Sequence, residues 1–187
     1  MNFTNFMNLY DYQTLESLLM MESSRRNADL VADLILRKPE LFDDLFSIYL
    51  KDEEPVSWKA AWSVDIASMN NPGLLESHIE EIVEHLPSFK NDGVKRESLR
   101  MLARSPLPVE HLGLLVTTCF EWLTSSKEPV AVKRFSMEIL YRISGQEPEI
   151  KKELADSIEW RMQEETPGFR AFGRKLLKLL YREMQNS

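Results

Sequence analysis

Apolar residues recur every three or four positions through most of this chain, as in Leu41, Leu45 and Ile48. This spacing places them on one face of an α-helix, and no long stretch alternates with the period of two that is typical of a β-strand. Proline and glycine residues interrupt the pattern at intervals of helical length, for example at Pro72-Gly73 and Pro167-Gly168. The sequence therefore predicts an all-helical fold.

The interruptions group the predicted helices into five hairpins, each with a first and a second helix. The hairpins are predicted at residues 11–37, 39–69, 73–104, 108–144 and 147–184. With 187 residues and 43% hydrophobic composition, the chain is long enough to bury one ordinary core. We therefore expect residues 1–187 to form a single repeat domain.

One basic residue marks the same position near the start of each second helix. It recurs at separations of 34 to 38 residues, as Arg25, Lys59, Lys95, Lys133 and Arg170. Three positions later the residue is small in four of the five hairpins, and seven positions later it is apolar in all five. Small residues allow a helix to approach its neighbour closely. Such a period is typical of stacked helical hairpins, whose extended surface usually binds a partner.

Three of these markers directly follow an apolar residue, in the pairs Val94-Lys95, Val132-Lys133 and Phe169-Arg170. This start of the second helix resembles that of HEAT repeats, and the resemblance covers nearly the whole chain. It implies a right-handed α-α superhelix, or solenoid, in which the second helices line the concave face. The turn aspartate of that family has approximate counterparts in Glu53, Asp92, Glu128 and Glu165. Because their positions vary, an inter-repeat ladder of acids and bases is not expected.

The formal net charge of −7 hides a separation of signs between the first and the second helices. The second helices and their ends hold 17 of the 23 basic residues and fewer than half as many acidic residues. A basic strip on one curved face would suit nucleic acid or an acidic protein segment. Alternatively, the cations pair with acidic first helices and lie at helix C-termini, where the helix dipole favours them. The candidate contacts in this strip are Lys59, Lys95, Arg96, Arg100, Lys133, Arg134, Arg170 and Arg174.

The second helix of the hairpin at 39–69 departs from the repeat pattern. It carries Trp58, Trp62 and Asp65, and the aspartate occupies a position that is apolar in the other hairpins. Spacings of four and three residues place these side chains on one helical face. The aspartate needs a partner, which we expect to be Arg96 or Arg100. The three residues are either core side chains with a paired acid, or a site whose rings stack a base or sugar.

The segment Trp62-Ser63-Val64-Asp65-Ile66 resembles part of the HEAT-like DNA alkylation-repair glycosylases. The segment Ser125-Ser126-Lys127-Glu128, followed by Lys133, is similar to a later part of that family. This resemblance implies excision of alkylated bases, with Asp65 as the catalytic residue, Trp62 against the lesion and Arg96 at a phosphate. The chain is shorter than those enzymes usually are. We therefore favour a binding module that is not an enzyme, and keep a DNA glycosylase as the alternative.

The remaining residues predict neither a metal site nor a cofactor. His78 and His85 lie seven residues apart, which is about 10 Å along a helix and too far for one metal ion. The sequence has no glycine-rich phosphate loop and no nucleophile motif. It also has no apolar run of the roughly 18 residues that a membrane span needs, and no signal-like N-terminus. We therefore expect a cytoplasmic protein that does not contact a membrane.

Overall fold

A computed structural model describes residues 14–186, so residues 11–13 of the first predicted hairpin lie outside the described range. Within residues 14–186 the chain forms ten α-helices and no β-strand, which confirms the predicted all-helical fold class. The helices are α1 (14–20), α2 (Arg25–Arg37), α3 (Phe42–Leu50), α4 (Val56–Asn70), α5 (Ile79–His85), α6 (Asp92–Arg104), α7 (Leu112–Thr124), α8 (Val130–Ile143), α9 (Ile150–Met162) and α10 (Pro167–Gln185).

Local side chains set several of the helix ends. The hydroxyl of Ser24, which precedes α2, accepts a hydrogen bond from the N–H of Asn27 at 3.1 Å. Thr166 precedes α10 and accepts a hydrogen bond from the N–H of Phe169 at 3.4 Å. These caps satisfy backbone donors that the first turn of a helix leaves unpaired. Pro167 is the first residue of α10, a position where its missing N–H is not needed.

The chain divides into two compact units, Met1–Met101 and Leu102–Ser187. In the first unit α4 packs against both α2 and α3. Ten of the 15 residues of α4 are buried, and most of these are alanine or serine. A helix that is buried on most sides belongs to the core, and its small side chains let the neighbouring helices approach closely. The prediction of one repeat domain over residues 1–187 stays a prediction.

In the second unit α7 packs against α8, and α9 packs against α7, α8 and α10. Gly173 of α10 occupies the small position of the repeat. A Cβ atom at Gly173 would lie 3.0 Å from Cγ2 of Ile158 and 3.2 Å from Sδ of Met162, both on α9. The small residue therefore permits the close approach of α9 and α10 that the repeat pattern predicts. No helix within residues 14–186 has the length and apolar character needed to cross a bilayer.

Candidate interaction surface

Trp58 and Trp62 lie one turn apart on α4, and both side chains are half-buried. Their ring centroids are 6.2 Å apart and their ring planes differ by 28°, so the two rings stack. Trp58 also forms one wall of an open cleft of about 400 Å³, which Arg96 and Gly93 line as well. A Cβ atom at Gly93 would lie 2.7 Å from Cβ of Trp58, so glycine is needed for this close approach. Two predicted contacts, Trp58 and Arg96, thus share one cleft.

Hydrogen bonds between the α3–α4 loop and the start of α6 form the frame of this cleft. The carboxylate of Asp52 accepts hydrogen bonds from the N–H groups of Lys90 and Asn91, at 2.6 and 3.2 Å. The side chain of Asn91 donates to Glu54 at 2.6 Å and accepts from the N–H of Gly93 at 2.8 Å. Asn91 therefore caps α6 and joins it to the preceding loop. These contacts fix the wall that faces Trp58.

Asp65 is fully buried on α4. Its carboxylate binds the guanidinium group of Arg100 on α6, which confirms one of the two partners that the sequence indicated. Arg100 also contacts Glu97 at 2.8 Å, and Arg96 binds the same glutamate at 2.9 Å. Asp65 does not line the cleft beside Trp58. The glycosylase hypothesis therefore requires this ion cluster to open before a base can reach Asp65.

Burial and charge shift two pKa values in this cluster. Burial raises the pKa of Glu97, and the positive charges of Arg100 and Arg96 offset only part of that rise. Burial by itself would lower the pKa of Arg100, but its hydrogen bond to Asp65 and the charge of Glu97 outweigh burial and raise the pKa. Arg100 consequently stays charged, and its ion pair with Asp65 holds α6 against α4.

The marker lysines Lys59, Lys95 and Lys133 are buried, with exposed fractions of 7, 8 and 3%. The ammonium group of Lys59 lies 6.0 Å from the ring centroid of Trp58, within the range of a cation–π attraction. The first marker, Arg25, is exposed instead. A partner can reach the three ammonium groups only after local rearrangement, so their role as contacts stays a prediction.

Lys133 belongs to a buried ion cluster that our reading of the sequence missed. Its ammonium group binds Glu165, in the turn before α10, and Glu165 accepts a second hydrogen bond from Arg161 at 2.5 Å. An inter-repeat ion pair, which the variable acid positions led us not to expect, is therefore present. The sequence did contain an indication of this ion pair, because an acid recurs five residues before the marker position: Glu165 before Arg170 and Glu128 before Lys133.

Arg134 of α8 is exposed and stacks on two aromatic rings. Its guanidinium carbon lies 4.7 Å from the ring centroid of Phe135 and 5.0 Å from that of Phe172 on α10. Its Nη2 atom lies 3.5 Å from the carboxylate of Glu138. Arg134 thus stacks beside α10 while its charge is paired with Glu138.

Cations occupy every fourth position along most of α10. Arg170 is half-buried, Arg174, Lys178 and Arg182 are exposed, and Lys175 is exposed beside them. Residues four apart lie on the same face of a helix, about 6 Å from one another along its axis. None of these five side chains forms an ion pair with another residue of the range 14–186. We call these five residues the α10 cationic row.

Arg142 of α8 is another of the 17 basic residues counted in the second helices and their ends, and it has a structural role. Its guanidinium group donates hydrogen bonds to the carbonyl groups of Leu102, Ala103 and Ser105, each at 2.7 Å. These carbonyls lie at the C-terminal end of α6, where a helix leaves acceptors unpaired. Burial lowers the pKa of Arg142, and the charge of Glu138 counters that effect only partly. The structural interpretation of the basic strip therefore applies to Arg142.

Comparison with known proteins bears on the fold. No curated protein and no solved structure matches this chain. The family model of the HEAT repeat domain matches residues 15–180, which is most of the chain. This match agrees with the succession of helical hairpins and with the small and apolar positions that recur in their second helices. The chain therefore belongs to the HEAT repeat domain family, a family of all-α solenoids built from helical hairpins.

Proposed function

We propose that this chain binds a negatively charged macromolecule through exposed cations of its second helices. Membership in the HEAT repeat family supports an interaction module, because stacked hairpins expose an extended surface for partners. The observation that carries the proposal is the α10 cationic row, whose five charges have no ion pair within residues 14–186. The row supplies the local positive charge that an anionic partner needs.

Most of the cationic row does not stabilise its own helix; the exception is Arg182 in the last turn, where the helix dipole favours a cation. Like charges four residues apart destabilise a helix by about 0.2–0.5 kcal/mol for each pair, so three successive pairs cost about 0.6–1.5 kcal/mol. Arg170 also lies near the N-terminus of α10, where the helix dipole disfavours a cation. Negative charge on a bound partner would remove this repulsion. A role in binding therefore accounts for the row better than a role in folding.

The cleft beside Trp58, in the other unit of the chain, is a second candidate contact that we consider by itself. Its lining includes the half-buried ring of Trp58, the exposed Lys90 and the guanidinium group of Arg96, which is 39% exposed. Two acids, Glu54 and Asp92, line the same cleft and offset these positive charges. The ring of Trp58 therefore suits a flat or apolar group of the partner, whereas the positive charge that the proposal needs comes from the α10 cationic row. The concave arrangement of the second helices stays part of the proposal.

The test measures binding of fluorescently labelled poly-L-glutamate by anisotropy at low and moderate salt. We expect binding at about 50 mM salt that weakens clearly at about 200 mM, because the attraction is between exposed charges. The variant Arg174→Glu should bind the polymer more weakly than the wild type. The matched control is Lys152→Glu, because Lys152 is exposed on α9 and already pairs with Asp156 at 2.7 Å. Equal loss in both variants, or no binding at low salt, would contradict the proposal.

A further inference from the structure

The α10 cationic row is about as long and as narrow as one face of a single α-helix. Four of its members form a slanted line from Arg170 to Arg182, which advances about 18 Å along the axis at 1.5 Å per residue and turns about 120° around the helix. Lys175 adds a fifth charge beside that line. Between Pro167 and Gln185, Glu183 is the single acidic residue. The row is thus a long and narrow positive surface.

Carboxylates border this surface on both sides. On the side of α9, the hydroxyl group of Tyr181 donates a hydrogen bond to Glu159 at 2.7 Å, and Asp156 lies close enough to raise the pKa of Tyr181 further. On the side of α8, Glu183 accepts a hydrogen bond from Tyr141 at 2.5 Å. A broad anionic partner would bring its outer charges close to these acids. A narrow one would meet the cations alone.

We infer that the α10 cationic row binds an acidic α-helix of a partner protein, one that carries glutamate or aspartate at every fourth position. This inference rests on the function proposed above. In such a helix the carboxylates are also about 6 Å apart, so they repeat in step with Arg170, Arg174, Lys178 and Arg182. Along one strand of DNA, by comparison, the charges are about 3.4 Å apart, which is shorter than the spacing of about 6 Å in the row. The spacing of the cations therefore matches an acidic helix better than a DNA strand.

An apolar contact is available at the border of the row. Tyr181 is 40% exposed and lies three residues after Lys178 and seven residues after Arg174, on the same face of α10. Its ring can pack against an apolar side chain one turn away from the acids of the partner helix. An amphipathic acidic helix therefore fits better than a helix that is acidic on all sides.

The experiment compares four labelled probes on the full chain by fluorescence anisotropy. One peptide of about 20 residues has glutamate at every fourth position and leucine beside it, and forms a helix. The second peptide has the same composition with its glutamates clustered, and the other two probes are single-stranded and duplex DNA of similar length. We expect the patterned helix to bind about tenfold more tightly than the clustered isomer and more tightly than either DNA.

Charge reversal locates the binding site. The double variant Arg174→Glu/Lys178→Glu should lose about tenfold or more in affinity for the patterned helix, whereas Lys127→Glu/Lys152→Glu should change it by less than about twofold. Circular dichroism checks that both variants remain helical. If DNA or the clustered peptide binds as well as the patterned helix, and Arg174→Glu/Lys178→Glu still weakens binding, the acidic-helix inference is wrong and the proposed function stands. If the control pair loses as much as the test pair, both are wrong.

Discussion

Replacing Glu165 with glutamine tests the buried ion cluster that links α8 to the turn before α10. The substitution keeps the size of the side chain and removes its charge. Lys133 is 3% exposed and Arg161 is 5% exposed, so both cations would remain inside the protein. Lys133 would then have no oppositely charged partner among the described residues. Breaking a buried pair in this way leaves an uncompensated charge, which is what makes it costly.

The expected loss follows from the contacts of each cation. Removing one member of a buried ion pair typically costs about 3–5 kcal/mol of unfolding free energy. Arg161 also lies 3.7 Å from the exposed carboxylate of Glu164, which limits the loss at that cation. We therefore expect Glu165→Gln to lower the unfolding free energy by about 3 kcal/mol. With a denaturant dependence of about 2 kcal/mol per molar urea, the midpoint falls by about 1.5 M.

The sign of the pH dependence follows from the pKa of Glu165. Burial raises this pKa, but the hydrogen bonds and charges of Lys133 and Arg161 outweigh burial, so the pKa lies below its usual value of 4.5. A carboxylate with a lowered pKa in the folded state stabilises the fold above its unfolded pKa. That stabilisation is lost as the pH falls through the folded-state pKa. The difference between the wild type and Glu165→Gln should therefore be full at pH 7 and shrink below about pH 4.5.

Urea unfolding, followed by far-ultraviolet circular dichroism at pH 7, measures the loss. Glu164→Gln is the matched control, because the side chain of Glu164 is 76% exposed and exposed ion pairs contribute less than about 1 kcal/mol. The double variant Lys133→Met/Glu165→Gln removes the uncompensated lysine and should be more stable than Glu165→Gln alone. The reasoning is refuted if Glu165→Gln behaves like the control, or if the double variant gains nothing over the single one.

Two further substitutions test α4 and its neighbours. Gly93→Ala places a Cβ atom 2.7 Å from Cβ of Trp58 and should lower the unfolding free energy by about 1–3 kcal/mol. The control is Gly113→Ala on α7, whose new Cβ atom would have no contact within 4 Å and which should raise the unfolding free energy by about 0.5–1 kcal/mol. Equal urea midpoints for the two variants would contradict the close approach of Gly93 to Trp58. Asp65→Asn weakens the buried contact to Arg100 and should cost about 1–3 kcal/mol in the same assay. If the chain excises methylated bases from duplex DNA, unchanged excision by Asp65→Asn would exclude Asp65 as the catalytic residue.

The fold was predictable because its signals are local. Apolar spacing such as that of Leu41, Leu45 and Ile48 depends on the helix alone, and all three side chains are buried in the structure. Small residues at a fixed repeat position, such as Gly173, indicated close helix packing before any contact was known. These features do not require knowledge of distant residues. The fold class and the HEAT family therefore followed from the sequence.

The environment of the site residues was less predictable because it depends on side chains far away in the sequence. The marker position is a buried lysine at Lys59, Lys95 and Lys133, but it is exposed at Arg25 and half-buried at Arg170. The repeat pattern assigns all five to one role. Their exposure is set by the side chains that pack over each position, and those belong to other helices and turns.

The charge count had a related weakness, because it gave every second-helix cation the same weight. Arg25 and Arg134 each have an acid four residues later, Asp29 and Glu138, and the structure pairs them at 2.8 and 3.5 Å. Along α10 the residue four positions after a cation is repeatedly another cation. This difference is visible in the sequence and separates cations that pair with an acid four residues later on their own helix from cations that have no such acid. Positive positions spaced by four without an intervening acid are therefore better evidence for a binding face than the total charge of the second helices.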